Sequence, residues 1–198
     1  MKNYLDIAGP AGSIEVMVDQ PDGGNNLWAV LCHPHPLYGG SMHDGVIDTA
    51  AIVLLYRKIN VVRFNFRGVG RSAGSHTGGA GEVDDLAAVL EWLRTTHQPD
   101  QVLLGGYSFG SNIAWRVAGS TPGLARLLLI APPVGMMPFE GPTPTCPVHA
   151  VWGDADSFID EDALGALSGV NAHCVEDADH FFMGQEEGLS AAVEASLS

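Results

Sequence analysis

The chain has 198 residues, of which 46% are hydrophobic and 16% charged, a composition typical of one globular domain spanning 1–198 and not of a disordered chain. Its formal net charge of -14 argues against nucleic acid as a partner and against anionic membrane surfaces, because both are bound by clustered lysine and arginine. Three widely spaced cysteines, an N-terminus without an apolar signal segment and apolar runs too short to span a bilayer lead us to expect a cytoplasmic protein with no membrane association.

Strand-like and helix-like segments alternate along the chain. Residues 5–21 combine a short alternating stretch with Gly-Pro and Pro-Asp-Gly turn signals, and predict an antiparallel hairpin at the edge of a sheet. Continuous apolar or β-branched runs predict buried strands, and apolar residues at helical spacing predict helices. The predicted strands are 27–32, 61–66, 101–106, 124–131, 148–152 and 173–176, and the predicted helices are 44–58, 82–95, 109–118, 161–167 and 186–197.

This alternation predicts an α/β fold, in which a mostly parallel central sheet carries helices on both faces. The glycine-rich residues 68–81 predict a loop, and they lack the spacing of a phosphate-binding motif. Residues 131–147 contain six prolines and no periodicity, and they are too few to form a separate helical cap.

The segment LLGGYSFGS, residues 103–111, contains the pattern G-x-S-x-G centred on Ser108. A predicted strand precedes it and a predicted helix follows it. A sharp turn between such elements strains the serine backbone and projects the hydroxyl above the sheet, and the flanking glycines permit the close approach that the turn needs. The helix N-terminus favours negative charge that develops nearby. The pattern therefore predicts a nucleophilic serine.

A nucleophilic serine requires a base and a carboxylate that orients the base. In a sheet of this kind they follow the serine in the order acid, then histidine, each after a strand. The sequence WGDAD provides Asp154 and Asp156, and ADH provides Asp179 and His180. We predict Ser108, Asp156 and His180 as the catalytic set. Asp154 lies close to the strand end, where it can cap the turn, and Asp179 is adjacent to the histidine and badly placed to bond its ring.

The segment CHPHPLYGGS, residues 32–41, follows the first predicted buried strand, where part of an oxyanion-binding site is expected. Prolines have no N–H to donate, so we predict the backbone amide of Leu37 as one oxyanion donor. The amide of Phe109, directly after the motif serine, is the predicted second donor. Tyr38 and His35 are alternatives to Leu37.

The pair His33-x-His35 also invites a metal interpretation. A metal centre would need further ligands at later strand ends, so we predict no metal and no cofactor, and expect one of these histidines to bond a loop carbonyl and hold the turn. The strand end RFNFR, residues 63–67, is predicted to place buried arginines against acids at 82–85.

These segments resemble the small cap-less α/β-hydrolases, a group of hydrolases and carboxylesterases. The resemblance covers nearly the whole chain. It implies an α/β-hydrolase fold without a cap domain, with Ser108 as nucleophile, Asp156 as acid and His180 as base. Position 160 is Asp where related loops often have proline, which affects that loop and not the chemistry. The resembling motifs are HPHPLYGGSM (33–42), RFNFRGVGRSAG (63–74), GEVDDLAAVLEWL (81–93), GGYSFGSNIAW (105–115), APP (131–133), WGDADSFID (152–160) and ADHFFMG (178–184).

On this basis we expect a serine carboxylesterase that cleaves small esters through an acyl-enzyme intermediate at an open site. Tyr38, Phe181 and Phe182 are predicted to line the substrate pocket. Two alternatives stay open: an amide, thioester or peptide hydrolase using the same three residues, and a non-catalytic binding protein on a hydrolase scaffold.

Overall fold

The computed structural model describes residues 1–167 and 169–198. Within these residues the strands are β1 (Lys2–Gly9), β2 (Gly12–Asp19), β3 (Leu27–Cys32), β4 (Asn60–Phe64), β5 (Gln101–Tyr107), β6 (Leu124–Ile130), β7 (Val148–Gly153) and β8 (Val170–Val175). The α-helices are α1 (Gly45–Tyr56), α2 (Ala80–His97), α3 (Phe109–Ala118), α4 (Glu161–Ala166) and α5 (Glu186–Ala195), and Pro36–Tyr38 forms a 3₁₀ turn.

All these strands form one sheet in the order β1-β2-β4-β3-β5-β6-β7-β8. The predicted hairpin of β1 and β2 lies at one edge, and β2 pairs antiparallel with β4, whereas every later pair is parallel. Because β3 and β5 are parallel neighbours at the centre of the sheet, the chain leaving one lies beside the chain leaving the other. Ligand sites in open α/β sheets form at such carboxyl ends.

The apolar core lies on both faces of the sheet, as the mostly parallel topology predicts. Leu86 of α2 and Ile113 of α3 belong to one buried cluster. Ile47 of α1 and Leu189 of α5 belong to the cluster on the opposite face. In residues 1–167 and 169–198, no helix is long and apolar enough to cross a membrane.

The elements differ from the predicted ones mainly at their ends. Strand β8 begins at Val170, three residues before the predicted start, because it is an edge strand whose exposed Asn171 gives no apolar signal. Helix α2 begins at Ala80, inside the predicted glycine-rich loop. The carboxylate of Glu82 makes this early start possible, since it accepts the amide N–H of Gly79 at 2.7 Å. Residues 131–147, between β6 and β7, contain no helix or strand, so no cap domain is inserted there.

Two arginines near the end of β4 are buried or nearly so and are paired, partly as predicted. Arg67 donates to Asp85 from Nε at 3.0 Å and from Nη2 at 2.8 Å, which confirms the predicted partner region. Arg63 pairs instead with Asp19 at 2.8 Å and with Asp48. The prediction for Arg63 was wrong because β4 ends at Phe64: Arg63 lies within the strand and meets acids of β2 and α1, whereas Arg67 lies beyond the strand end and meets α2.

Candidate active site

Ser108 occupies the turn between β5 and α3 with φ 52° and ψ -121°. A positive φ is rare for a residue with a side chain and marks local strain. The turn closes because its neighbours lack side chains: a Cβ on Gly106 would lie 2.2 Å from the carbonyl oxygen of Gly110. The amide N–H of Ser108 donates to the carbonyl of Ile130 at 2.9 Å, which ties the turn to β6. The strained strand-turn-helix geometry expected of the motif is present.

Ser108 lies at one end of a series of side-chain hydrogen bonds. Its Oγ is 2.9 Å from Nε2 of His180, and Nδ1 of the same ring is 2.8 Å from Oδ2 of Asp156. A carboxylate only accepts, so Nδ1 carries the proton and Nε2 is left to accept from the serine hydroxyl. The imidazole and carboxylate are buried. The structure thus brings together the three side chains that were predicted to act as a set.

The segment after β7 positions Asp156. A Cβ on Gly153 would lie 2.0 Å from the carbonyl oxygen of Ala178, so this strand end packs directly on the backbone that leads to His180. Oδ1 of Asp156 accepts the amide N–H of Phe158 at 2.8 Å, which leaves Oδ2 for the imidazole.

The two other carboxylates considered in the sequence lie outside this series. Asp154 is exposed. Oδ1 of Asp179 accepts the amide N–H of Phe181 at 2.9 Å and thereby caps the following turn. Of the three carboxylates, only Asp156 therefore bonds the imidazole of His180 in the described residues. The sequence had favoured Asp156 over Asp154 and Asp179 from position alone.

Two contacts fix the ring and backbone of His180. The hydroxyl of Tyr107 donates to the carbonyl oxygen of His180 at 3.0 Å. Burial raises the pKa of Tyr107, so this hydroxyl stays protonated and remains a donor. The ring of Phe158 packs edge-on against the imidazole with centroids 4.5 Å apart. The base is therefore held from both its backbone and its side chain.

His33 holds the loop after β3. Its Nε2 accepts the amide N–H of Phe66 at 3.0 Å, and its Nδ1 lies 2.6 Å from the carbonyl oxygen of Pro34. Burial lowers the pKa of His33 to about 4, so the ring is neutral and donates from Nδ1. A Cβ on Gly110 would lie 2.4 Å from the carbonyl oxygen of Cys32, so this loop lies directly against the start of α3. One histidine of the pair does bond a loop carbonyl, as expected.

The predicted oxyanion donor Leu37 is engaged within its own turn. Its amide N–H donates to Nδ1 of His35 at 3.2 Å, and the amides of Tyr38 and Gly40 both donate to the carbonyl of His35 at 3.1 Å. The prediction of Leu37 is therefore corrected: the 3₁₀ turn uses that N–H internally. Across the described residues, the amides of His35 and Phe109 have no hydrogen-bond acceptor.

A cavity of about 650 Å³ opens in front of Ser108. Tyr38 and Phe181, both predicted as pocket residues, line it. Phe182 does not line it, and this prediction is corrected: its side chain is buried in the core cluster of α1 and α5. In the tight turn after Asp179, one phenylalanine faces outward and the next faces inward, and no sequence signal distinguishes the two.

Sequence reasoning missed one wall of this cavity. Pro133, Met136 and Met137 line it, together with Phe158 from the loop after β7. The first three belong to the proline-rich residues 131–147, whose lack of periodicity gives no indication of which side chains face inward. Their position directly after β6 was the one sequence feature that could have suggested that they line the cavity.

The histidines of the HPHP segment do not form a metal centre with their surroundings. Both ring nitrogens of His33 are engaged by backbone groups, and Nδ1 of His35 accepts from Leu37. Over residues 1–167 and 169–198, no group of three or more His, Cys, Asp or Glu side chains is placed to hold a metal ion.

Comparison with known proteins places this geometry in a family. The model of the alpha/beta hydrolase fold family matches residues 35–189. An alpha-beta serine hydrolase homologue from Coxiella burnetii superposes with a TM-score of 0.92 at 37% identity, covering 99% of this chain and 97% of that one. An alpha/beta serine hydrolase without lid from Xanthomonas campestris superposes with a TM-score of 0.90 at 36% identity, with 99% and 93% covered. An uncharacterized protein of Rickettsia prowazekii is 35% identical over 96% of this chain and 86% of its own length. The chain therefore belongs to the α/β-hydrolase family, and residues 131–147 carry no cap, as in the relative from Xanthomonas campestris described as without lid.

Proposed function

We propose that this protein is a serine hydrolase that cleaves small carboxylic esters through an acyl-enzyme intermediate. The observation that carries the proposal is the hydrogen-bonded series from Ser108 through His180 to Asp156 at a strained turn. The Ser108 oxygen attacks the acyl carbon while Nε2 of His180 takes its proton. Asp156 accepts the hydrogen bond from Nδ1 and stabilises the imidazolium that forms.

The same groups complete the reaction. The imidazolium of His180 gives its proton to the departing alcohol, which leaves the acyl group on Ser108. Water then enters and attacks the acyl carbon while Nε2 of His180 accepts its proton. The imidazolium returns this proton to the Ser108 oxygen as the acyl–oxygen bond breaks, which releases the acid and restores the serine.

We assign the oxyanion donors to the backbone amides of His35 and Phe109. Both belong to residues that line the cavity beside Ser108, and both lack an acceptor within the described residues. His35 replaces Leu37, whose N–H is used by the 3₁₀ turn. Removing one donor of this kind costs about 3 kcal/mol of transition-state stabilisation.

The character of the cavity favours an ester over an amide. Its wall of Pro133, Met136, Met137 and Phe158 offers only weakly accepting methionine sulfurs to the N–H that an amide substrate brings. The one carboxylate among the lining residues, that of Asp44, already accepts two backbone amides at the start of α1. An ester has no such donor to satisfy.

We also propose a cytoplasmic location. The cysteines Cys32, Cys146 and Cys174 are free, and thiols stay reduced in that compartment.

A labelling and turnover experiment tests the assignment. Ser108→Ala should abolish hydrolysis of p-nitrophenyl butyrate and labelling by a fluorophosphonate probe, while urea unfolding shows an intact fold. Ser120→Ala, at an exposed serine beyond α3, is the control and should keep both activities. Undiminished turnover or labelling in Ser108→Ala would remove the proposal. Faster cleavage of butyryl p-nitroanilide than of the ester would replace esters with amides.

A further inference from the structure

The cavity in front of Ser108 is larger than a short ester requires. Its volume is about 650 Å³, whereas an apolar cavity of about 150 Å³ is enough to hold benzene. Pockets of about 300–1,000 Å³ hold drug-sized ligands. An acetyl or propionyl group on Ser108 would leave most of this space unfilled by substrate.

The mouth of the cavity is lined by exposed apolar side chains. Tyr38 is 87% exposed, Met136 67% and Phe181 58%, and all three line the cavity. We refer to these three residues as the apolar rim. Exposed apolar surface that continues from a cavity is typical of a groove that binds an apolar ligand. The rim therefore extends the apolar path from Ser108 to the protein surface.

Backbone hydrogen bonds hold the part of the cavity wall formed by Met136 and Met137, here called the methionine wall. The amides of Met136 and Met137 both donate to the carbonyl oxygen of Pro133 at 3.0 Å. Nδ2 of the buried Asn112 donates to the carbonyl oxygen of Pro138 at 2.8 Å and anchors the segment to α3. Methionine side chains themselves adapt to irregular apolar ligands. A fixed backbone with adaptable side chains suits a flexible hydrocarbon chain.

The charge around the cavity disfavours an anionic substrate. Among the described residues that line it, Asp44 is the one carboxylate and no lysine or arginine is present. Oδ1 of Asp44 accepts the amides of Val46 and Ile47 at the start of α1, so this carboxylate stays in place. A substrate carboxylate or phosphate would meet a like charge and no cation.

We propose that the substrates are neutral esters with an apolar chain of several methylene groups, which lies along the methionine wall and leaves the cavity over the apolar rim. The inference rests on the proposed ester hydrolysis at Ser108. The chain can belong to the acid or to the alcohol of the ester, and both have the same chemistry, so the experiment contains one arm for each.

The experiment measures kcat/KM over two substrate series below their micelle concentrations. One series is p-nitrophenyl acetate, butyrate, hexanoate and octanoate, and the other is ethyl to octyl acetate. A buried methylene increases binding about fourfold, so we expect a two- to fourfold rise per methylene, up to hexanoate or hexyl, in at least one series. A third arm compares p-nitrophenyl hexanoate with its matched anion, the p-nitrophenyl monoester of adipic acid, which we expect to react at least tenfold more slowly.

Variants link the chain-length effect to the rim. Met136→Ala should lower the octanoate-to-acetate ratio of kcat/KM at least threefold. Ile52→Ala removes an equally exposed aliphatic side chain on α1 that does not line the cavity, and should leave the ratio unchanged.

Flat or falling values in both series would overturn the inference, and an unchanged ratio in Met136→Ala would remove the role of the rim. Equal turnover of the adipate monoester and the hexanoate would contradict the requirement for neutrality. In each of these cases acetate turnover and fluorophosphonate labelling of Ser108 would still support the proposed function. Loss of both would remove that function and this inference together.

Discussion

The hydroxyl of Tyr107 donates a hydrogen bond of 3.0 Å to the backbone carbonyl oxygen of His180. Tyr107 directly precedes Ser108 in the strained turn, so this bond joins the backbone of the proposed nucleophile to that of the proposed base. Residues 107 and 180 lie far apart in sequence, and the bond fixes the loop of His180 independently of the imidazole itself.

Tyr107→Phe should lower both stability and activity. The lost bond leaves a buried carbonyl without its donor, so we expect the free energy of unfolding to fall by about 1 kcal/mol. We expect kcat/KM for p-nitrophenyl butyrate to fall about fivefold, the rate equivalent of a similar energy. Urea unfolding and steady-state kinetics measure the two effects. Tyr56→Phe changes an exposed tyrosine on α1 and is the control; equal effects in both variants would contradict the positioning role.

Asp156→Asn should reduce kcat by about 10³- to 10⁴-fold, because an amide in place of the carboxylate favours the wrong tautomer of His180. The exposed Asp154 provides the matched control, since Asp154→Asn makes the same chemical change two residues away. We expect Asp154→Asn to keep kcat within twofold of the unsubstituted protein. A large loss in Asp154→Asn and a small one in Asp156→Asn would reverse the assignment of the acid.

Proline at position 35 tests the oxyanion donor directly. The φ of His35 is -59°, which proline adopts without strain, so His35→Pro removes the N–H and leaves the backbone path intact. We expect kcat for p-nitrophenyl butyrate to fall by about 10²- to 10³-fold, as for loss of a single donor.

Two variants separate this effect from loss of the imidazole and from the Leu37 alternative. His35→Ala keeps the amide and should lose no more than about tenfold, the rate equivalent of a single weak hydrogen bond. Leu37→Pro removes the N–H that donates to His35 and should have a similarly small effect. A 10²-fold loss in Leu37→Pro with full activity in His35→Pro would restore Leu37 as the donor.

Gly153→Ala should disturb the spacing between the acid and the base. The added Cβ would lie 2.0 Å from the carbonyl oxygen of Ala178, a backbone atom that can yield only by moving the segment before His180. We expect at least a tenfold loss of kcat and a loss of stability of about 1–3 kcal/mol, typical of overpacking. Gly165→Ala, in α4 with no atom within 4 Å of the new Cβ, should keep kcat and gain stability slightly. Identical behaviour of the two variants would contradict this account.

His33 should make stability depend on pH below neutrality. Burial lowers its pKa to about 4 in the folded protein, whereas the unfolded chain takes up this proton near pH 6.5. The unfolded state therefore binds more protons as the pH falls, and the free energy of unfolding decreases from pH 6.5 toward pH 4 by about 3 kcal/mol in all. Urea unfolding at pH 7.5 and 4.5 should show a smaller decrease in His33→Gln than in the unsubstituted protein. Parallel decreases in both proteins would contradict a neutral, buried His33.

The sequence was most informative where local chemistry and chain order coincide. The glycines around Ser108 and the order of acid and histidine after successive strands predicted which side chains would meet, because parallel strands bring their carboxyl ends to one edge. The sequence could not show which of Phe181 and Phe182 would point into the core, because the two neighbours in this tight turn point in opposite directions and have the same side chain. The use of the Leu37 N–H within its own turn could not be predicted, because the 3₁₀ turn capped by His35 depends on a local fold that the prolines alone do not specify.

Gly110 packs so closely on the carbonyl oxygen of Cys32 that a side chain at position 110 would displace the loop after β3. Single substitutions in these two backbone segments would therefore shift the groups that react. New substrate preferences in this scaffold should therefore arise from residues 133–137, where side chains can be exchanged without shifting the reacting groups. Directed evolution confined to that stretch should yield many active clones with altered selectivity, whereas randomising residues 32–35 or 106–110 should yield mostly inactive ones.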